Sequence, residues 1–216
     1  MAVITSPPDD RTVGDVPDVR EHLRVGEATA WWYDWINRHR VGGIALVGLI
    51  ATQIGTYFGY VFPAFGLPPL PWPLYNGLLG TTFADGLNGA TATGTFDPVF
   101  ATSANAFFVG NALHYVNGIV FAILFVILAR PLMPFKNTHG GNIASGLLYS
   151  VILSIISAGF LVPYAYVPNQ GYGFFSFYGP DGWKLPFGIL VWHLVYGFFL
   201  GALYQLRRRS ASSTAV

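Results

Sequence analysis

The sequence contains no cysteine, which excludes disulfides, thiolate metal sites, iron–sulfur clusters and c-type haem attachment. Charge is also scarce, because only 10% of the 216 residues are charged, whereas a soluble domain carries about 25%. Most of the ten acidic residues precede position 41, so the apolar part of the chain is nearly free of carboxylates. A proton pump or ion-coupled transporter usually needs a charged relay inside the membrane. The composition therefore favours a membrane protein and counts against charge-coupled transport.

No motif of a common catalytic class is present. The chain has no Walker loop, no Gly-x-Ser-x-Gly motif, no His-Glu-x-x-His motif and no dinucleotide-binding fingerprint. The arginines at 207–209 directly follow an apolar run, so they indicate membrane orientation and not a nucleic-acid-binding patch. We therefore expect that the chain binds no nucleic acid and has no catalytic activity of its own.

Four apolar runs are long enough to cross a bilayer, because about 20 apolar residues in a helix span its hydrocarbon core. The sequence thus predicts an all-α integral membrane protein, a bundle of four transmembrane helices within residues 41–207. The predicted spans are 41–62, 106–129, 142–162 and 185–206. The remaining segments are a cytoplasmic arm with an interfacial aromatic helix at 1–40, two structured external loops at 63–105 and 163–184, and a cytoplasmic tail at 208–216.

Basic residues predict the orientation of these spans. Only Lys184 lies on one side of the four-span topology. The basic residues that flank the spans on the other side are Arg38, Arg40, Arg130, Lys136, Arg207, Arg208 and Arg209. Because cytoplasmic loops carry an excess of Lys and Arg, we expect a multi-pass protein of the bacterial inner membrane with both termini in the cytoplasm.

The two halves of the predicted bundle share short sequence patterns. The first span opens Gly-Gly-Ile-Ala and ends Val-Phe-Pro, and the third opens Gly-Asn-Ile-Ala and ends Leu-Val-Pro. These matches indicate two helical hairpins in a parallel repeat. They are short and low in complexity, so chance similarity is the alternative.

A histidine and small residues share one face of the fourth span. His193, Gly197 and Gly201 follow at i, i+4 and i+8, and His114 and Gly118 open the same pattern in the second span, with Ala122 as its third member. Two histidines at similar depth would be axial metal ligands of a b-type haem, or one of them would hold a chlorin pigment, with Gly118 and Gly197 making room for the ring. Alternatively, the small residues let helices approach closely and the histidines hydrogen-bond between them.

The pattern His193-x-x-x-Gly197-x-x-x-Gly201-x-x-Tyr204 resembles one found in small four-span bacterial inner-membrane proteins of unknown function, where it recurs in alternate helices. The copy at His114 departs from it, since Phe125 replaces the tyrosine. The resemblance implies a four-span topology and no particular chemistry.

Aromatic residues are dense in the arm and in both predicted loops. Large exposed apolar patches usually mark interfaces with proteins or membranes, although the two loops would alternatively pack on each other as an external cap. The predicted interface residues are Trp31, Trp32, Trp35, Trp72, Phe174, Phe175, Tyr178 and Trp183.

Three functions remain open at this point. The leading hypothesis is a non-catalytic accessory subunit of a respiratory, photosynthetic or oxygenase complex, with other membrane subunits and lipids as partners. The second is a small electron-transfer subunit that binds b-type haem or a pigment through His114 and His193. The third is a carrier for a small neutral solute.

Overall fold

The computed structural model describes residues 25–84, 104–166 and 171–205, and these residues form helices and connections without a β-strand. Four helical segments are long and apolar enough to cross a membrane: Arg40–Phe65, Phe108–Leu132, His139–Tyr166 and Lys184–Leu203. The prediction of an all-helical chain with four such helices is confirmed. The predicted arm before residue 25, most of 85–105 and the tail after 205 lie outside the described residues.

Six main helices lie within the described residues. In chain order they are α1 (Val25–Arg38), α2 (Arg40–Val61), α3 (Trp72–Ala84), α4 (Ala104–Leu124), α5 (His139–Ile156) and α6 (Lys184–Leu203). Helix α2 packs against α4 and α6, α5 packs against α6, and α3 packs against α4.

Helix α5 continues beyond its predicted end at position 162. The chain stays helical from Ser157 to Tyr166, in a wider π-helical form that contains Pro163. Proline has no N–H to donate to the preceding turn, and π-helical turns accommodate such interruptions. Pro163 therefore does not end this helix, and the following connection is shorter than the predicted external loop.

Helix α3 lies within the segment that the sequence predicted to be an external loop. The chain turns at Gly66, which adopts a left-handed conformation with φ of 73°, and α3 then begins at Trp72 with a proline in its first turn. Proline is tolerated there because the N–H groups of the first turn have no partner within the helix. At 13 residues, α3 is too short to cross a bilayer. It packs against the bundle, with Trp72 and Tyr75 buried.

Close helix contacts depend on glycines at two seams. Between α2 and α4, a Cβ added at Gly48 would lie 2.7 Å from Cβ of Ala122. Between α5 and α6, a Cβ added at Gly201 would lie 2.5 Å from the carbonyl oxygen of Asn142 and 2.7 Å from Cα of Ile143. The small residues of the predicted stripes therefore do bring neighbouring helices together.

The end of α6 is held by side chains from α1 and α5. Trp32 Nε1 donates to the carbonyl of Leu203 at 2.9 Å, and the Tyr33 hydroxyl donates to Ala202 at 3.1 Å. Asn142 Nδ2 donates to two further carbonyls, of Gly201 and Tyr204, each at 2.6 Å. The last carbonyls of a helix have no partner within it, so these bonds satisfy them and tie three elements together.

Candidate functional site

A cavity of about 40 Å³ lies between the helices, and both predicted histidines line it. Helix α2 contributes Thr52, α3 contributes Trp72 and Asn76, and α4 and α6 contribute His114 and His193. At roughly 10–15 Å³ for each water, this volume holds about three water molecules. The structure therefore brings the two histidines to one cavity.

The hydrogen bonds of His114 define its tautomer. The Thr56 hydroxyl donates its hydrogen to the carbonyl of Thr52 at 2.7 Å, and its oxygen lies 2.7 Å from His114 Nε2. Because that hydroxyl hydrogen is already donated, Nε2–H of His114 is the donor to Thr56, which leaves Nδ1 as an acceptor. Nδ1 is the ring nitrogen that the bond to Thr56 does not use.

His193 is held at both nitrogens. Nδ1 lies 2.8 Å from the carbonyl of Ile189, which only accepts, so Nδ1 carries the hydrogen. Nε2 is then an acceptor, 3.4 Å from the Ser157 hydroxyl. Each histidine therefore contacts a hydroxyl on the preceding candidate span: Thr56 on α2 for His114, and Ser157 after α5 for His193.

Two asparagines connect α3 to the cavity. Asn117 Nδ2 donates to Asn76 Oδ1 at 2.6 Å, and Asn76 Nδ2 donates to the carbonyl of Trp72 at 2.8 Å. The hydroxyl of Tyr166 lies 3.5 Å from the same Asn76 oxygen. The sequence did not indicate Asn76 or Tyr166 as site residues, because both fell within predicted loops.

Aromatic rings form the remaining walls. The Trp192 ring lies between the two imidazoles, with ring centroids 5.9 Å from His114 and 5.1 Å from His193. Trp72 packs edge-on against both Trp192 and His193. Within the described ranges, the indole Nε1 atoms of Trp72 and Trp192 are buried without a hydrogen-bond partner. The cavity thus combines aromatic walls with the side chains of two histidines and two asparagines.

No protein-family model, curated protein or solved structure matches the chain. Its function has to be inferred from the chemistry of these residues. Across the part of the chain that the structure describes, no group of three metal-ligating side chains is present.

The geometry around the histidines does not fit a haem between them. Pockets for drug-sized ligands have volumes of about 300–1,000 Å³, and the cavity between the histidines is far smaller. Nε2 of His114 bonds Thr56, and both nitrogens of His193 contact protein oxygens. Haem or chlorin ligation by His114 and His193 stays a prediction that this conformation does not favour.

The glycines that were predicted to make room for a ring face neighbouring helices instead. A Cβ added at Gly118 would collide with the Thr52 side chain, and one added at Gly197 would collide with the Ser150 hydroxyl. Gly118 lines the cavity along its edge, while Gly197 is covered by α5. The close-packing interpretation of the stripe fits these contacts.

Predicted interface residues divide into three groups. Trp31, Phe174, Tyr178 and Trp183 are exposed, and Tyr178 is the most exposed of them at 78%. Trp32, Trp35 and Phe175 are partly buried against the core. Trp72 is only 4% exposed and lines the cavity, so its predicted place at an external interface is not where the structure puts it. The physical reason is that α3 folds back onto α4.

The connection between the last two candidate spans is tightly folded. Phe175 and Ser176 have φ of 58° and 57°, a left-handed conformation that is rare and costly for a residue as bulky as phenylalanine. The Ser176 hydroxyl donates to the carbonyl of Ala158 at 2.9 Å. Burial, and to a smaller extent the Asp181 carboxylate, raise the pKa of Tyr172, which therefore stays a neutral phenol.

Proposed function

We propose that the protein is a non-catalytic subunit of a larger bacterial membrane complex, of respiratory, photosynthetic or oxygenase type. The observation that carries the proposal is an aromatic surface on the connection before α6, formed by Phe174, Phe177, Tyr178 and Trp183. All four side chains are at least half exposed. At protein interfaces a few residues contribute most of the binding energy, and Trp and Tyr are enriched among them.

Backbone strain beside this aromatic surface supports the proposal. The left-handed conformations of Phe175 and Ser176 each cost of order 1–3 kcal/mol. Such strain persists only where surrounding contacts impose it, and it clusters at functional sites. Here it turns Phe175 toward the core while Phe174 and Phe177 stay exposed.

The orientation that we propose places the aromatic surface outside the cytoplasm. Arg38, Arg40, Arg130 and Lys136 lie at or near one set of helix ends, and Lys184 begins α6 at the opposite end. An excess of basic residues marks the cytoplasmic side of an inner-membrane protein. Both termini then lie in the cytoplasm, and a partner would meet the aromatic surface on the external side.

We also propose that the bundle consists of two hairpins related as a parallel repeat. His114 contacts the Thr56 hydroxyl within the α2–α4 pair, and His193 contacts the Ser157 hydroxyl within the α5–α6 pair. In both pairs a glycine one turn after the histidine faces a hydroxyl side chain, Gly118 facing Thr52 in the first pair. The matched contacts support the repeat that the terminal sequence patterns suggested.

A pull-down tests the accessory-subunit proposal. We expect the tagged chain, extracted from native membranes in mild detergent, to retain larger membrane subunits in stoichiometric amounts. Tyr178→Ala combined with Trp183→Ala should reduce their recovery more than tenfold, since two interface anchors contribute roughly 2 kcal/mol or more each. Quantitative mass spectrometry of the eluate provides the measurement.

The matched control removes two exposed aromatic side chains from a candidate span, with Tyr57→Ala and Phe58→Ala on α2. Recovery of the partners should stay at the wild-type level in this control. A chain that elutes alone, or equal recovery with both double variants, would contradict the proposal. The visible absorption spectrum of the same eluate tests the haem or chlorin alternative, which requires a Soret band that disappears in His193→Ala.

A further inference from the structure

The cavity between the hairpins has no role in the proposed subunit function, yet it combines features of a ligand site. It lies within the apolar part of the bundle, and five of the six helices or their extensions line it. We propose that it binds a small uncharged molecule that both donates and accepts hydrogen bonds, of the primary-amide class.

The lining favours a neutral ligand. None of the described residues that line the cavity is an acid, a lysine or an arginine. An ion placed there would lose its hydration without gaining an opposite charge, which makes ion binding unfavourable in an apolar interior. A neutral polar molecule avoids that cost and still satisfies the polar groups of the wall.

The hydrogen-bonding groups fit an amide in both directions. His114 uses Nε2 for its bond to Thr56, so Nδ1 is the ring nitrogen that would accept an N–H from the ligand. Asn117 donates only one of its amide hydrogens, to Asn76, so its second is available for a ligand carbonyl. The rings of Trp72 and Trp192 also line the cavity and supply apolar wall, while their indole N–H groups are buried within the protein.

The small volume favours a ligand of a few atoms. A cavity of about 40 Å³ holds about three waters, which corresponds to a molecule of about four non-hydrogen atoms. Acetamide has this size, and its methyl group would contact the aromatic and aliphatic walls formed by residues such as Leu153 and Phe121. Acetamidinium has the same shape and a positive charge, so the two compounds separate recognition of size from recognition of charge.

Saturation-transfer difference NMR on the full chain in lipid nanodiscs tests the proposal, with acetamide as the probe. We expect the acetamide methyl signal to exceed that of empty nanodiscs at least threefold. The acetamidinium signal should equal that of empty nanodiscs. Equal saturation of both compounds, or an acetamide signal at the empty-nanodisc level, would overturn the proposal.

A matched pair of variants locates the binding. Leu153 lines the cavity, and its neighbour Ile152 faces outward from the bundle. Leu153→Phe fills the cavity and should abolish the excess acetamide signal, whereas Ile152→Phe should leave it unchanged. If Leu153→Phe does not assemble into nanodiscs, Asn117→Leu serves as the second variant, and it should lower the signal at least threefold. Wild-type signal in either cavity variant would place the binding elsewhere and contradict the proposal.

Discussion

Asn142→Leu is expected to lower the free energy of unfolding by about 3–5 kcal/mol, because one buried amide joins three elements. Its Nδ2 donates to the carbonyls of Gly201 and Tyr204, and its Oδ1 accepts from Arg130 Nε at 2.7 Å. Leucine has similar size and makes none of these bonds. The substitution removes the shared donor of two carbonyls and one of the acceptors of the partly buried Arg130, which keeps its bond to the carbonyl of Lys136.

Thermal unfolding in detergent micelles, followed by circular dichroism, measures this effect. The control is Asn37→Leu in α1, where the same substitution removes a single local bond, from Asn37 Nδ2 to the carbonyl of Tyr33. We expect the control to cost about 1 kcal/mol. Similar melting temperatures for the two variants would show that the contacts of Asn142 do not hold the helix ends together.

Gly201→Ala is expected to destabilise the protein by about 1–3 kcal/mol, although alanine is the better helix former by about 1 kcal/mol. The added Cβ would lie 2.5 Å from the carbonyl oxygen of Asn142 and 2.7 Å from Cα of Ile143. Both are backbone atoms, so a side-chain rotation cannot relieve the clash. Helices α5 and α6 have to move apart along the seam.

The control for this variant is Gly42→Ala, since a Cβ at Gly42 in α2 meets no atom within 4 Å. Gly42→Ala should therefore leave the midpoint of unfolding unchanged or raise it. Unfolding of both variants by increasing SDS, read by circular dichroism, gives the comparison. An equal or higher midpoint for Gly201→Ala would mean that the seam tolerates a methyl group.

The apolar runs predicted the four long helices because membrane-spanning length is a property of each segment alone. The position of α3 could not be predicted in this way, since the segment 63–71 before it contains four prolines and its burial depends on contacts with α4. The placement of Trp72 at an external surface failed for the same reason. The predicted third span ends at position 162, before Pro163, whereas a π-helical segment carries the chain past this proline.

The candidate site was predicted in part. His114 and His193 each lie about nine residues into their predicted spans, which predicts a similar depth in the membrane. Both line one cavity. Their hydroxyl partner Thr56 and the amide partner Asn76 carry no local sequence signal, because only the packing of separate helices brings them there. The size of the cavity is likewise a property of packing. It favours a small molecule over a porphyrin as the ligand.

The attachment of α1 to the end of α6 has a consequence for the order of events during synthesis. Trp32 and its acceptor Leu203 are 171 residues apart, and Tyr33 and Ala202 are 169 apart. Helix α1 is made before any of the long apolar helices, but its two acceptors are the last residues of the fourth and emerge from the ribosome only when that helix is complete. Docking of α1 is therefore among the last steps of assembly, and a nascent chain that stops short of α6 cannot complete it.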